Sequence, residues 1–179
     1  MVYVFLANGF EEIEALTVVD TLRRASIDVL TVGIGELTVS GAHNIEIQAD
    51  IPESEASFLD LDMIVLPGGM PGTLNLEKSA TVNSFIDYAA EHDLWIAAIC
   101  AAPSILGKKG LLKGLSATCY PGCESFLYGA KLTNMPVVKD KKIRTAKSMG
   151  TALDFSLELV SVLKGRSVAS DVEESLCRK

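Results

Sequence analysis

The amino-acid sequence predicts an α/β protein with a doubly wound, mostly parallel sheet between two layers of helices. Three short apolar runs have the length and composition of strands that are buried on both faces: residues 2–7, 62–66 and 94–99. Helical segments alternate with such runs along the chain, and this alternation is typical of parallel sheets. Because ligands of these sheets bind at the carboxyl ends of the strands, we expect the functional residues directly after the three runs.

Length and composition favour a single domain over residues 1–179. Hydrophobic residues make up 49% of the chain and charged residues 22%, which is enough apolar side chain for a sizeable core. The net charge of -7 argues against nucleic acid and anionic membrane surfaces as partners. The first residues carry neither a basic leader nor a long apolar run, so we expect a cytoplasmic protein.

The first half of the chain begins with a strand and an amphipathic helix. Residues 2–7 are the first predicted strand, and residues 10–25 are a helix with acidic residues in its first turn and arginines in its last, as the helix dipole favours. Residues 27–32 predict the second strand. A small antiparallel hairpin is predicted for residues 37–48, with His43 in a solvent-exposed turn.

The second half continues the alternation. The sequence predicts strands at residues 62–66 and 94–99, with a helix at residues 79–91 between them and His92 on the surface after it. A short strand, a turn and a brief helix are expected within residues 117–128. The remaining predicted elements are a hairpin or two edge strands at residues 137–138 and 142–146, and helices at residues 153–163 and 167–176.

Cys100 stands between the strand at residues 94–99 and a helix start that is marked by Pro103. A thiol at such a junction is raised above the edge of the sheet. It also lies at the positive end of a helix dipole, which favours the thiolate. The local sequence is compatible with a nucleophilic cysteine on a strand-to-helix elbow and with a buried structural cysteine.

Two other strand ends carry candidate residues. Glu14 shares a largely apolar helix face with Val18 and Thr21, so it is either a satisfied helix-start carboxylate, which the residues alone favour, or a buried acid with a raised pKa. Gly68 and Gly69 form either an ordinary tight turn or a cradle of backbone N–H groups for an anion. The sequence has no GxGxxG motif and no Walker lysine here, so a nucleotide phosphate site is not supported.

The remaining cysteines form no strong metal-binding pattern. Cys119 and Cys123 have a loose metal-ligand spacing, but no second ligand pair follows them. Together with Cys177 they are expected to be free thiols in a reducing compartment. We therefore expect no metal and no cofactor.

Four segments together resemble the ThiJ/PfpI superfamily: residues 7–14, 65–69, 97–103 and 149–152. Within it the chain is most similar to the group of the Parkinson-disease-associated protein deglycase (DJ-one) and its bacterial relatives, nearly end to end. The resemblance implies a flavodoxin-like α/β sandwich and a homodimer. It also implies that Cys100 is the nucleophile and that Glu14 is a protonated acid that hydrogen-bonds its sulfur.

The resemblance implies a chemistry as well. Gly69 and Ala101 match positions whose backbone N–H groups face the reacting atoms, while Gly68, Asn8 and Tyr120 are expected to contact the substrate. The expected enzyme joins its thiolate to an α-oxoaldehyde such as methylglyoxal as a hemithioacetal, or removes early glycation adducts from proteins. The alternative is a redox-sensing stress-response or chaperone protein, whose reactive cysteine is oxidised to a sulfinate with little or no turnover.

One position departs from the family pattern. Human-type members carry a histidine where this chain has Tyr120, and the chain's two histidines, His43 and His92, lie outside the matching segments. A Cys-His protease or amidotransferase is therefore not expected. Since a tyrosine is a poor base at neutral pH, Glu14 would have to move the proton itself.

Overall fold

The computed structural model describes residues 1–178. Within them lie eleven strands, numbered in chain order: Val2–Leu6 (β1), Val29–Gly33 (β2), Thr38–Ser40 (β3), Glu46–Gln48 (β4), Ile51–Pro52 (β5), Met63–Leu66 (β6), Trp95–Ile99 (β7), Ser116–Ala117 (β8), Lys131–Leu132 (β9), Val137–Asp140 (β10) and Ile143–Ala146 (β11). Seven of them form one sheet in the order β10-β11-β7-β6-β1-β2-β5. Every neighbouring pair in it is parallel except β10 and β11. The predicted doubly wound sheet is confirmed, and the order is that of a flavodoxin-like fold.

Two smaller pairs of strands lie outside the main sheet. Strands β3 and β4 pair antiparallel, which confirms the predicted hairpin. Strands β8 and β9 form a short parallel pair.

Six helices cover the sheet: Glu12–Arg24 (α1), Gly72–Lys78 (α2), Ala80–Glu91 (α3), Pro103–Lys108 (α4), Ala152–Lys164 (α5) and Arg166–Ser175 (α6). Helices α1, α5 and α6 contribute to one apolar core. Helices α2, α3 and α4 contribute to the other, on the opposite face of the sheet. Two separate cores are expected because strands buried on both faces send alternate side chains to opposite sides. None of the described helices combines the length and the apolar character needed to cross a membrane.

Several predicted bounds differ from the observed ones. The second strand begins at Val29 rather than at residue 27, because residues 25–28 form the turn that closes α1. The brief helix expected before residue 128 is a single 3-10 turn, Glu124–Phe126. Helix α2 was not predicted, since its first turn follows a run of glycines and prolines that indicates a loop. Of the two strands predicted at residues 137–146, β11 lies inside the sheet, between β10 and β7, and β10 lies at the edge.

The strand order brings the predicted functional segments together. Strands β1, β6 and β7 are neighbours at the centre of the sheet, and their carboxyl ends lead into the segments that contain Glu14, Gly68 and Cys100. Strand β11, next to β7, leads into residues 147–151 at the same edge. Four loops therefore meet at one place.

Candidate active site

Cys100 occupies a strained elbow between β7 and α4. Its φ of 64° lies in the left-handed region, which a residue with a side chain adopts only when its surroundings hold it there. Two backbone hydrogen bonds hold it: its N–H donates to the Ala146 carbonyl at 2.9 Å, and its carbonyl accepts from the Tyr120 N–H at 2.7 Å. This geometry matches the nucleophile elbow that the sequence predicts.

The Glu14 carboxyl is buried, with 1% of the residue exposed. Its Oε2 accepts a hydrogen bond from the Gly68 N–H at 2.9 Å, while Oε1 has no partner among the described residues. Burial raises the pKa of Glu14 to about 7, although hydrogen bonds from backbone N–H groups act in the opposite direction. A satisfied helix-start carboxylate, the alternative that the residues alone favour, is therefore wrong. In the neutral acid the proton belongs on Oε1, since Oε2 accepts the N–H.

Gly68 separates the acid from the thiol. A Cβ placed on it would lie 2.5 Å from the Cys100 Cβ, 2.7 Å from Glu14 Oε2 and 3.0 Å from the Cys100 Sγ. A side chain at this position would clash with both groups. The glycine therefore leaves the carboxyl and the sulfur on either side of a position without a side chain.

Burial and the charge of Glu14 raise the pKa of the Cys100 thiol to about 12, whereas the Gly69 and Ala101 N–H groups lower it. The expectation that the helix start makes this thiol acidic is wrong, because burial and the neighbouring carboxylate outweigh the favourable dipoles. Protonation of Glu14 removes its charge and so lowers the pKa of the thiol. The two groups titrate together, and in the neutral range they share one proton.

Gly69 and Ala101 flank the thiol, and their backbone N–H groups act to lower the pKa of Cys100. A Cβ on Gly69 would lie 2.4 Å from the Glu11 nitrogen, so this turn also needs a glycine. Such N–H donors stabilise negative charge on a sulfur or on an oxygen that is bonded to the adjacent carbon.

The structure gives the two remaining predicted substrate contacts other partners. The Asn8 side chain accepts a hydrogen bond from the Ser40 N–H at 2.9 Å, which ties this residue to the β3–β4 hairpin. Tyr120 is 49% exposed, and its N–H is bound to the Cys100 carbonyl. A substrate role for either side chain stays a prediction.

Two contributors to the site were not predicted individually. The Met149 N–H, from the segment after β11, acts to lower the pKa of Glu14, whereas the nearby charge of Glu11 raises it. Residue 149 belongs to one of the four segments that carry the family resemblance, and Glu11 was interpreted only as a helix-start acid. A backbone donor and a through-space charge leave no pattern in a single sequence.

Three side chains next to the site have the chemistry of metal ligands. Ligand-type atoms of Glu11, Glu12 and His43 lie within 4.8 Å of one another. Both Glu12 oxygens already accept from His43: Oε1 lies 2.7 Å from its backbone nitrogen, and Oε2 lies 2.9 Å from Nδ1. Hydrogen bonds between these residues therefore account for the arrangement, and we assign no metal to it.

The fold and this site define an α/β protein that presents a cysteine on a nucleophile elbow, beside a buried acid, at the carboxyl edge of a flavodoxin-like sheet. The chain belongs to the DJ-1/PfpI family, which matches residues 1–162.

Relatives and solved structures agree over nearly the whole chain. Protein dj-1beta of Drosophila melanogaster is 34% identical over 97% of this chain and 94% of its own length. The glutathione-independent glyoxalase DJR-1.2 of Caenorhabditis elegans is 28% identical over 93% of this chain and 90% of its own. The structure of oxidized Toxoplasma gondii DJ-1 is similar with a TM-score of 0.95 and 31% identity, covering 99% of this chain and 97% of that one.

Proposed function

We propose that this protein is a cofactor-free, cysteine-dependent glyoxalase that converts α-oxoaldehydes such as methylglyoxal into hydroxyacids. The observation that carries the proposal is the pairing of the elbow thiol of Cys100 with the buried carboxyl of Glu14 across Gly68. A relative whose name describes it as a glutathione-independent glyoxalase, 28% identical to this chain, supports the same chemistry.

The first step forms a bond between Cys100 and the aldehyde. In the form of the pair that has a thiolate and a neutral acid, Sγ attacks the aldehyde carbon of methylglyoxal. The Gly69 and Ala101 N–H groups stabilise the resulting oxyanion. Glu14 then donates its proton to this oxygen, which gives the neutral hemithioacetal and leaves a carboxylate.

The second step moves a hydrogen from one carbon to the next. The Glu14 carboxylate removes the proton from the former aldehyde carbon, which gives an enediolate with its negative charge on the former ketone oxygen. Glu14 then returns this proton to the neighbouring carbon, while the hydroxyl proton of the hemithioacetal moves to the former ketone oxygen. The product is a lactyl thioester of Cys100. Water cleaves this thioester, the sulfur leaves with its electron pair, and lactate is released with the thiol regenerated. The net reaction adds one water to methylglyoxal.

The test is lactate formation from methylglyoxal without glutathione. Cys100→Ala is expected to abolish it, because this substitution removes the nucleophile. Cys177→Ala is the matched control, since Cys177 is an exposed free thiol beyond the end of α6, and it should retain the wild-type rate. Turnover that survives in a folded Cys100→Ala protein would exclude the proposed reaction.

The same site could act on early glycation adducts of proteins, which contain the same carbon skeleton as the hemithioacetal. Cys100 is partly exposed, so a side chain of another protein could carry the adduct to it. The expected partners are therefore a small carbonyl compound or a glycated protein, and we propose a cytoplasmic homodimer as the working form.

A redox-sensing role is the second candidate. The N–H groups of Gly69 and Ala101 and a neutral Glu14 are donors that could hold the oxygens of a Cys100 sulfinate. One similar solved structure is described as oxidized. Peroxide treatment followed by site-resolved mass spectrometry should then oxidise Cys100 ahead of Cys123 and Cys177. Equal oxidation of all accessible thiols would rule this candidate out.

A further inference from the structure

His43 makes side-chain contacts that a solvent-exposed turn residue does not require. It lies between β3 and β4 with 66% of its side chain exposed, yet its Nδ1 is 2.9 Å from Glu12 Oε2 and 3.8 Å from Glu11 Oε1. The hydrogen bond to Glu12 and the charges of both glutamates raise its pKa. The imidazole therefore keeps its proton to higher pH than an ordinary histidine, beside two carboxylates.

Contacts between the β3–β4 hairpin and the start of α1 fix the position of this imidazole. The Glu12 residue is only 2% exposed, and its carboxylate packs directly against Gly41, where a Cβ would lie 2.2 Å from Oε1. The Ala42 N–H donates to the Phe10 carbonyl at 2.8 Å, which joins the hairpin to the segment before α1. Burial would raise the pKa of Glu12, but its hydrogen bonds from His43 and from backbone N–H groups hold it below the ordinary value. Glu12 is therefore a charged anchor for the ring.

Glu11 connects this anchor to the catalytic pair. Its N–H donates to the Gly68 carbonyl at 2.9 Å, and its side chain is only 16% exposed. Its negative charge disfavours ionisation of Glu14. The other groups that face Glu14 are the Cys100 thiol and two uncharged backbone N–H donors, those of Gly68 and Met149.

We propose that the charge of His43, placed beside Glu11, helps to set how strongly the site favours the neutral form of Glu14. When His43 is protonated, its positive charge offsets part of the negative field of Glu11, and Glu14 ionises more readily. When His43 is neutral, Glu11 acts undiminished and Glu14 holds its proton to higher pH. The charged groups that face His43 itself are Glu11 and Glu12.

The consequence appears in the reactivity of Cys100. The alkylation rate of Cys100 rises with pH as the Cys100–Glu14 pair loses its first proton. It then reaches a plateau, whose height is set by the fraction of molecules in which Cys100 is a thiolate and Glu14 is a neutral acid. A neutral side chain at position 43 should raise both the midpoint pH and the plateau of the alkylation rate. A permanently charged side chain should lower both. The inference rests on the proposed roles of Glu14 and Cys100, but alkylation needs no methylglyoxal turnover.

The experiment measures carboxamidomethylation of Cys100 by iodoacetamide, followed by peptide mass spectrometry, between about pH 5 and pH 9, around the pKa of about 7 for Glu14. His43→Asn keeps a donor near the position of Nδ1 without the charge, and His43→Arg keeps the charge at all pH values. We expect the midpoint to rise in the first variant and to fall in the second, each by roughly 0.3 to 0.7 pH units, as for a partly exposed charge.

Two controls make the result specific. His92→Asn changes the other histidine, which is exposed at the end of α3 and bonds the Tyr88 carbonyl, so the profile should not move. Glu11→Gln should by itself lower the midpoint, because the negative charge that disfavours ionisation of Glu14 is gone. Identical midpoints in wild type, His43→Asn and His43→Arg would overturn the proposal, as would an unchanged midpoint in Glu11→Gln. If the midpoints shift as expected but the wild-type protein forms no lactate from methylglyoxal, only the proposed glyoxalase function is contradicted.

Discussion

At the scale of single residues, the site depends on Glu14, an acid whose buried surroundings disfavour its charged form. Glu14 is 1% exposed, and Cys100 lies across Gly68 from it. Burial keeps a large share of the acid neutral near pH 7, and this lets it share a proton with a thiol that burial alone makes unreactive. A free Cys100 without such a neighbour would hold its proton at neutral pH.

This burial has a cost that depends on pH. The pKa of Glu14 rises from 4.5 to about 7 on folding, so between these values the folded chain binds more protons than the unfolded chain. Stability therefore falls as pH rises through this window, by on the order of 3 kcal/mol for this group. Glu14→Gln removes the ionisation while its amide oxygen can still accept the Gly68 N–H.

We therefore expect urea unfolding to show Glu14→Gln gaining stability relative to wild type between about pH 4 and pH 8, by up to roughly 3 kcal/mol. The gain should be concentrated between the two pKa values. If the two proteins differ in free energy of unfolding by the same amount at about pH 4 and at about pH 8, Glu14 ionises normally in the folded state.

At the scale of elements, most strands and helices were predictable because their signals are local, whereas the two-residue strands β5 and β9 were not predicted. Strand β7 is a continuous apolar run, α1 has acids at its start and arginines at its end, and α3 begins after a serine. Helix α2 was missed because glycine and proline at its start indicate a loop. The first turn is completed by the Gly72 N–H, which donates to the Gly9 carbonyl, and by the Thr73 N–H, which donates to the Gly69 carbonyl. The contact with Gly9 is distant in sequence, so no local pattern indicates it.

The start of α3 offers a direct test at this scale. The Ser79 side chain accepts a hydrogen bond from the Val82 N–H at 3.2 Å and caps the helix. Ser79→Ala should lower the free energy of unfolding by about 1 kcal/mol, because the N–H is left without its partner. Ser84→Ala, on the exposed part of the same helix, should change it by less than about 0.5 kcal/mol. Equal effects of the two substitutions in urea unfolding would contradict the capping role.

At the scale of the whole molecule, the sheet order explains why distant segments form one site. The carboxyl ends of β1, β6, β7 and β11 lie side by side, and each delivers one part: the acid, the glycines, the cysteine, and the Met149 N–H. The sequence predicted the first three because each follows an apolar run, with the family resemblance settling the role of Glu14. It could not predict the fourth part, or the roles of Glu11 and His43, because these act through space and through a backbone group.

The expected homodimer also concerns the molecule as a whole. Ile13 on α1 and Ile45 on the β3–β4 hairpin are 50% and 52% exposed, and association would remove such apolar side chains from water. Sedimentation at micromolar concentration should give twice the chain mass of 19.1 kDa. A particle of single-chain mass would contradict the homodimer without affecting the site, which is contained in one chain.

Whether Glu14 moves the protons for Cys100 is tested by the rate of lactate formation from methylglyoxal by Glu14→Gln at pH 7. We expect a loss of roughly a hundredfold to ten-thousandfold, the usual contribution of a general acid and base, in a protein that is folded and whose Cys100 is intact. A rate within about threefold of wild type, which corresponds to less than about 1 kcal/mol of barrier, would show that another group moves the proton.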